Sequence, residues 1–443
     1  MRRSHPVRPA IAARIVLALA ALVASGCGVP DQPPQQSAAR PAAAPTAAPP
    51  QALGPHGQVY VHDGRARLAV MEAASGAIER ELPLGTPAPD WSALYVAEPG
   101  AGRTRVRAID PRTGQPLREI ALDGAYELPT VRPDGVPGGL SPNGRWLALA
   151  AQDNGHGKSS FIVLDTAFAQ PPRTAQLAGN FLFDGLDNNG SALFLIEYFA
   201  PDPSVKYQVR FYNLVQGALD PQVIVAKGED PDAPMTGAFQ LSVAAPDGTW
   251  LYGLYLNQDH GPFIHALNLT NRFAVCIDLP TDGKQDTEKQ RFWSLAVDAR
   301  TGSVYAANGA LGLVAEVDPG QLNVRRTARL HEASADRTTH ASQQAAPPAE
   351  RLSAGTVALS PNGATLFALA ERGLLAIDTA DLTLRGRYLE DQQLDGLAIS
   401  TGGARLYAAS VGQIVRIDLA TGTATTIPFA GQPLGVLHVE AGA

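Results

Sequence analysis

One pentapeptide limits what this chain can fold into: Leu140-Ser-Pro-Asn-Gly144 returns as Leu359-Ser-Pro-Asn-Gly363. Proline sets φ for the first central position of a turn. Asparagine tolerates the left-handed region, and glycine enters it with no Cβ penalty. Each copy is followed by a short apolar run, Trp146-Leu-Ala-Leu-Ala150 or Leu366-Phe-Ala-Leu-Ala370, as expected of a strand buried on both faces. A shorter apolar strand comes first, as in Gly355-Thr-Val-Ala-Leu359, so the unit is a hairpin.

Degenerate copies recur at Pro89–Ala97, Asp187–Ile196, Ala245–Tyr252, Val297–Tyr305 and Ile399–Tyr407, which makes seven hairpins in all. Their starts lie roughly 40 to 60 residues apart, in or near the range of propeller blades. A third strand follows, usually ending in an acid: Asp110, Asp165, Asp318, Asp378, Asp418. A turn such as Arg112-Thr-Gly114 and a fourth, more polar strand close the unit. Inner strands buried and an outer strand wet is the gradient of a propeller blade.

The ends of this region complete the pattern. Val59–Val61, Arg67–Met71 and Ala77–Leu82 read as strands two to four of a blade without its first, and Gly431–Val439 as a first strand alone. The expected fold is therefore all-β: a β-propeller of four-stranded antiparallel blades over 58–443, the ring closed by N-terminal strands pairing with the C-terminal strand. Eight blades are expected, and seven if one degenerate unit such as 85–122 is not a blade. The composition agrees, with 43 Gly and 36 Pro in 443 residues and only 17% charged.

The first 27 residues carry Arg2, Arg3, Arg8 and Arg14, no acid, and an apolar run from Ile15 to Ala24 too short for a stable membrane span. Ala24-Ser-Gly-Cys27 reads as a lipoprotein-type signal peptide over 1–27, with Cys27 lipidated; an ordinary signal peptide with an incidental cysteine is the alternative. Residues 28–57 are rich in Pro and Ala and read as a disordered tether. The protein is thus expected in the bacterial cell envelope, lipid-anchored and extracytoplasmic, in the periplasm or at the cell surface. Losing the four arginines takes 35 basic residues to 31 against 42 acidic, a net charge of −11, so no nucleic-acid partner is expected. Cys276 is then the remaining cysteine, expected to be a small buried hydrophobe on a strand, with no disulfide and no haem-attachment or cysteine zinc motif.

Val304-Tyr-Ala-Ala-Asn308, Leu94-Tyr-Val-Ala97 and Leu406-Tyr-Ala-Ala409, with the Ile-Asp and Thr-Gly pairs after them, resemble the YVTN-type bacterial β-propeller repeats. The resemblance spans about residues 58 to 443 and implies the fold. It implies little about activity, because the shared residues are turn and core residues. Such propellers include cell-surface and periplasmic binding proteins, and a related fold carries methylamine dehydrogenase heavy chains and some lactonases.

Ligands in such rings sit at the channel mouth, on the face that gathers the loops between strands two and three. Two of these loops are alike: Gln152–Lys158, with Asp153 and His156, and Asn257–Gly261, with Asp259 and His260. Asp and His suit acid–base or metal chemistry; polar hairpin loops have the same composition. The two lie two blades apart, so one metal bridging them is not expected, and whether any metal binds is left open. Asp123–Pro137, Lys227–Pro234 and Thr281–Glu288 read as long acidic between-blade loops, and 331–351 as a mobile inter-blade loop. The chain has no Gly-x-Ser-x-Gly elbow, phosphate loop or His-Glu-x-x-His, and no cofactor is implied. The expected function is a non-catalytic binding scaffold, monomeric, taking a protein, peptide or glycan partner at the loop face. The alternative is a propeller enzyme, a lactonase-like hydrolase or dehydrogenase subunit, with its site at the channel mouth.

Overall fold

The computed structural model describes residues 57–441 except 133, 152–156, 200–205, 227–229, 231–232, 282–286 and 331–355. The leader, Cys27, the tether up to residue 56, Asp153, His156 and the 331–351 segment lie outside the described residues. Eight antiparallel sheets form the ring. Blade 1 joins Gln58–His62, Arg67–Glu72 and Ile78–Pro83 to the C-terminal Gly435–Glu440. Blades 2 to 8 span 86–123, 126–178, 180–236, 238–278, 293–329, 357–388 and 395–428. All seven expected hairpins and the split closing blade are present, and the unit at 85–122 is a blade.

Closure rests on a register in which Gln58 faces Glu440, Val59 faces Val439 and His62 faces Gly435. Strand order fixes two faces. The lower face carries the turns between strands one and two and between three and four. The upper face carries the loops between strands two and three and the connections between blades. Residues 57 and 441 both fall on the lower face, next to the Gln58–Glu440 pair.

Burial follows the expected gradient. Second strands such as Val304–Asn308 are buried throughout, whereas the fourth strand Asn323–Arg329 alternates exposed and half-buried. The side chains of a strand point alternately to the blades on either side, so each seam is an apolar cluster. A fully buried Leu, Val or Phe contributes about 1.5–3 kcal/mol.

The repeat glycines serve the seams as well as the turns. Gly144 has φ +69°, and a Cβ there would lie 2.6 Å from Cδ of Pro89 in the previous blade. Gly190 has φ +62°, and its Cβ would enter the Trp146 ring at 2.2 Å. Asn143 does the same by hydrogen bonding: its backbone N–H donates to Asn188 Oδ1 at 2.9 Å and its Nδ2 to the Asn188 carbonyl at 3.0 Å. The acids ending third strands are turn acceptors. Asp110 Oδ1 takes the Arg112 N–H at 2.8 Å, and Asp418 Oδ1 takes those of Ala420 and Thr421 at 3.1 and 3.0 Å.

Two expectations change. Cys276 is exposed on the outermost strand of blade 5, with Sγ 3.8 Å from Nδ1 of the buried His265. The strand's wet face, not its core face, holds the thiol. Asp123–Pro137 is not simply a between-blade loop: Tyr126–Glu127 already belongs to the first strand of blade 3. The chain then leaves that strand and rejoins it where the Gly139 carbonyl accepts the Ala148 N–H at 2.8 Å.

Candidate binding face

Asp259 and His260 sit at the tip of the loop between strands two and three of blade 5. Asn257 Oδ1 holds the tip by accepting the N–H of Asp259 at 2.8 Å and of His260 at 3.1 Å. Both side chains are exposed. Among the described residues no group of three His, Cys, Asp or Glu side chains is placed to hold a metal ion.

Sequence reasoning missed a more organised feature on the channel wall. Residues 128–139 form an insertion within the innermost strand of blade 3. Thr130 bridges Pro137, the Val131 N–H donates to the Val136 carbonyl at 3.3 Å, and the Gly135 N–H to the Arg132 carbonyl at 3.1 Å. This hairpin leaves the innermost strand of blade 3 near its upper end, after Glu127 opposite Ala150. It reaches blade 2, whose Thr86 hydroxyl donates to the Gly138 carbonyl at 2.7 Å. It also comes close to blade 1. Asp134, buried, accepts from Arg132 Nη2 at 2.7 Å, and its charge acts on His62. Burial pulls the His62 pKa below the ordinary imidazole range, partly offset by Asp134 and Asp63, which favours the neutral ring. His62 Nδ1 and Arg132 Nε are buried with no hydrogen-bond partner among the described residues. The turn signal was legible in Pro129, Gly135, Pro137 and Gly138; that it interrupts a strand was not.

One blade further round, the face becomes apolar. Leu182, on the innermost strand of blade 4, is 48% exposed, and Phe199, just past its second strand, is 47% exposed. Beneath them, a register shift between Phe183 and Gly185 places Asp184 at a bulge. The residue keeps some exposure, yet its Oδ2 is sealed and has no hydrogen-bond partner among the described residues. Burial pushes this carboxyl up to about 7. Its charge bears on Tyr198, Tyr207 and Tyr255, all raised chiefly by burial. The Tyr207 and Tyr255 rings stack at 5.4 Å between blades 4 and 5.

These features define an eight-bladed β-propeller with a polar hairpin inserted in the innermost strand of blade 3 and exposed apolar side chains on blade 4 beside it. Among solved structures the chain is similar to AztD from Citrobacter koseri. The apo form matches at 14% identity over 87% of this chain and 98% of that one, with a TM-score of 0.52. A second AztD structure matches over the same shares at 14% identity and a TM-score of 0.50. The periplasmic gluconolactonase PpgL of Pseudomonas aeruginosa is a looser likeness, 18% identical over 79% and 99% of the chains with a TM-score of 0.42. No family model matches, and no curated protein does. At these identities the likeness shows the fold alone.

Proposed function

We propose that this chain is a lipid-anchored extracytoplasmic propeller that binds a protein or peptide partner on its upper face. The observation that carries the reading is the make-up of that face: exposed Leu182 and Phe199 at the upper end of blade 4, next to blade 3, whose hairpin carries the partly exposed Arg132. An apolar patch rimmed by polar groups is the anatomy of a recognition surface. The leader supports the address, with Cys27 as the lipid attachment point. An enzyme reading would draw on Asp184 as a neutral acid, but the sealed Oδ2 does not reach solvent, which favours binding.

The test is affinity capture from intact cells with the full-length chain and with Phe199→Asp and Leu182→Asp variants. The reading expects one recurring partner that both variants lose while remaining folded. A partner retained by both, or no partner with the wild type, overturns it. For the anchor, labelled palmitate should enter the wild type and not Cys27→Ala; label persisting in the variant rules out Cys27.

A further inference from the structure

The lower face holds a second candidate site. A groove of about 480 Å³ runs between blades 6 and 7, within the size range of small-ligand sites. One wall is the turn Asp298-Ala-Arg-Thr-Gly-Ser303. Asp298 Oδ1 takes the Arg300 N–H at 2.9 Å, and Oδ2 accepts from the Thr301 hydroxyl at 3.0 Å and Arg300 Nη2 at 3.1 Å. Burial alone would raise this carboxyl; the hydrogen bonds from Arg300 and Thr301 outweigh it and hold the group ionised. The floor is Glu316, 4% exposed. Arg326 grips its Oε2 through Nε at 2.6 Å and through Nη2. The same guanidinium donates to the carbonyls of Thr379, at 3.0 Å, and Ala380, pinning the opposite wall in blade 7. The groove width is therefore set by a charged clamp.

The groove has three properties that select a ligand. Its charges cancel: Asp298 against Arg300, and Glu316 and Asp318 against Arg325 and Arg326. A charged ligand would enter uncompensated. Second, the fixed groups keep unused capacity. Glu316 Oε1 has Arg325 Nη1 at 3.7 Å, too far for a hydrogen bond, so its lone pairs stay available. Asp318 Oδ1 takes the N–H groups of Gly320 and Gln321 at 2.8 and 3.1 Å. Third, the lining has no exposed large apolar side chain, since Tyr305 is only 6% exposed. Space is kept open by Gly363, whose Cβ would stand 2.2 Å from Arg300 Nη2 and 2.8 Å from Asp298 Oδ2.

We infer that this groove binds an uncharged saccharide of one or two sugar units. Planar carboxylates and guanidiniums offer paired acceptors and donors that match vicinal hydroxyls. The site lies on the face opposite the channel hairpin and does not rest on the partner-binding reading. The experiment titrates the full-length protein with neutral mono- to tetrasaccharides, with glucuronate- and glucosamine-containing sugars as charged controls. Saturation-transfer NMR finds binders and calorimetry measures them. Binding of a neutral sugar is expected, weakened about tenfold by Ala380→Trp, which fills the groove from its exposed rim, and by Arg325→Ala. Phe199→Asp on the other face should leave sugar affinity unchanged. Melting temperatures check that each variant folds. No binding across the neutral set, tighter binding of the charged sugars, or affinity untouched by Ala380→Trp overturns the assignment.

Discussion

The two faces of blade 4 are built from alternate residues of the same strands, yet they are different materials. Toward blade 3, Leu193 and Leu195 meet Trp146, Phe161 and Val163 in an apolar seam. The Arg173 guanidinium caps it, 4.3 Å over the Trp146 ring. Toward blade 5, Phe194, Ile196 and Tyr207 meet Tyr255 and Phe263, but polar groups are mixed in. Among the described residues, Asp184 Oδ2, Tyr207 Oη and His265 Nε2 are buried there without hydrogen-bond partners, against Trp146 Nε1 and Arg210 Nε on the other side. Burial holds His265 down to about 4 and Asp184 up to about 7, in each case favouring the neutral form. One seam gains stability from packing. The other gives some up to hold ionisable groups inside the seam.

The contrast can be broken by mutation, and the largest effect should come from the apolar side. Trp146→Ala leaves a cavity under blade 4 and should cost about 3–5 kcal/mol in urea unfolding. A cost below that of any change on the blade 5 side would erase the distinction. Asp184→Asn comes next, and its effect depends on pH. The carboxyl titrates near 3.8 when unfolded and about 7 when folded, so the folded state holds the proton longer. Stability from this group is complete below the unfolded value and is lost as pH rises through about 7. The variant should match the wild type near pH 4 and exceed it at pH 8 by on the order of 2–4 kcal/mol. A constant difference between the two across that range would place Asp184 in solvent. Gly190→Ala forces a Cβ into the Trp146 ring at positive φ and should cost about 2–3 kcal/mol, read from the unfolding midpoint. Tyr207→Phe should be smallest, within about 1 kcal/mol, since it removes a buried hydroxyl with no well-formed hydrogen bond among the described residues. A loss above that would show that the hydroxyl has a hydrogen-bond partner.

The fold was legible because its signals are local. Pro142, Asn143 and Gly144 announce a turn whatever surrounds them, and the run from Trp146 to Ala150 announces a buried strand. Blade count and closure followed from repetition alone. The candidate binding face was not legible for the opposite reason. Asp259 and His260 looked chemical because of their residue types, yet they cap a loop tip in solvent. Asp184 lies in an apolar stretch, Phe181 to Leu186, where nothing local reveals the bulge that seals it. His62 fell just past the expected strand Val59–Val61, and the charge that acts on it, Asp134, is supplied from two blades away. Seams and hairpin crossings are long-range facts, and a repeat that says where strands lie is silent about them.

The closing strand has a mechanical consequence. Gln58–His62 is flanked on both sides, by Arg67–Glu72 and by Gly435–Glu440, each paired with it at five positions. A pull applied at residue 57 acts along this strand, across ladders whose hydrogen bonds run perpendicular to it. The ladders are then sheared together, not peeled one bond at a time. The ring is joined there without a covalent bond, yet that joint meets a load on the N-terminal side in its strongest direction.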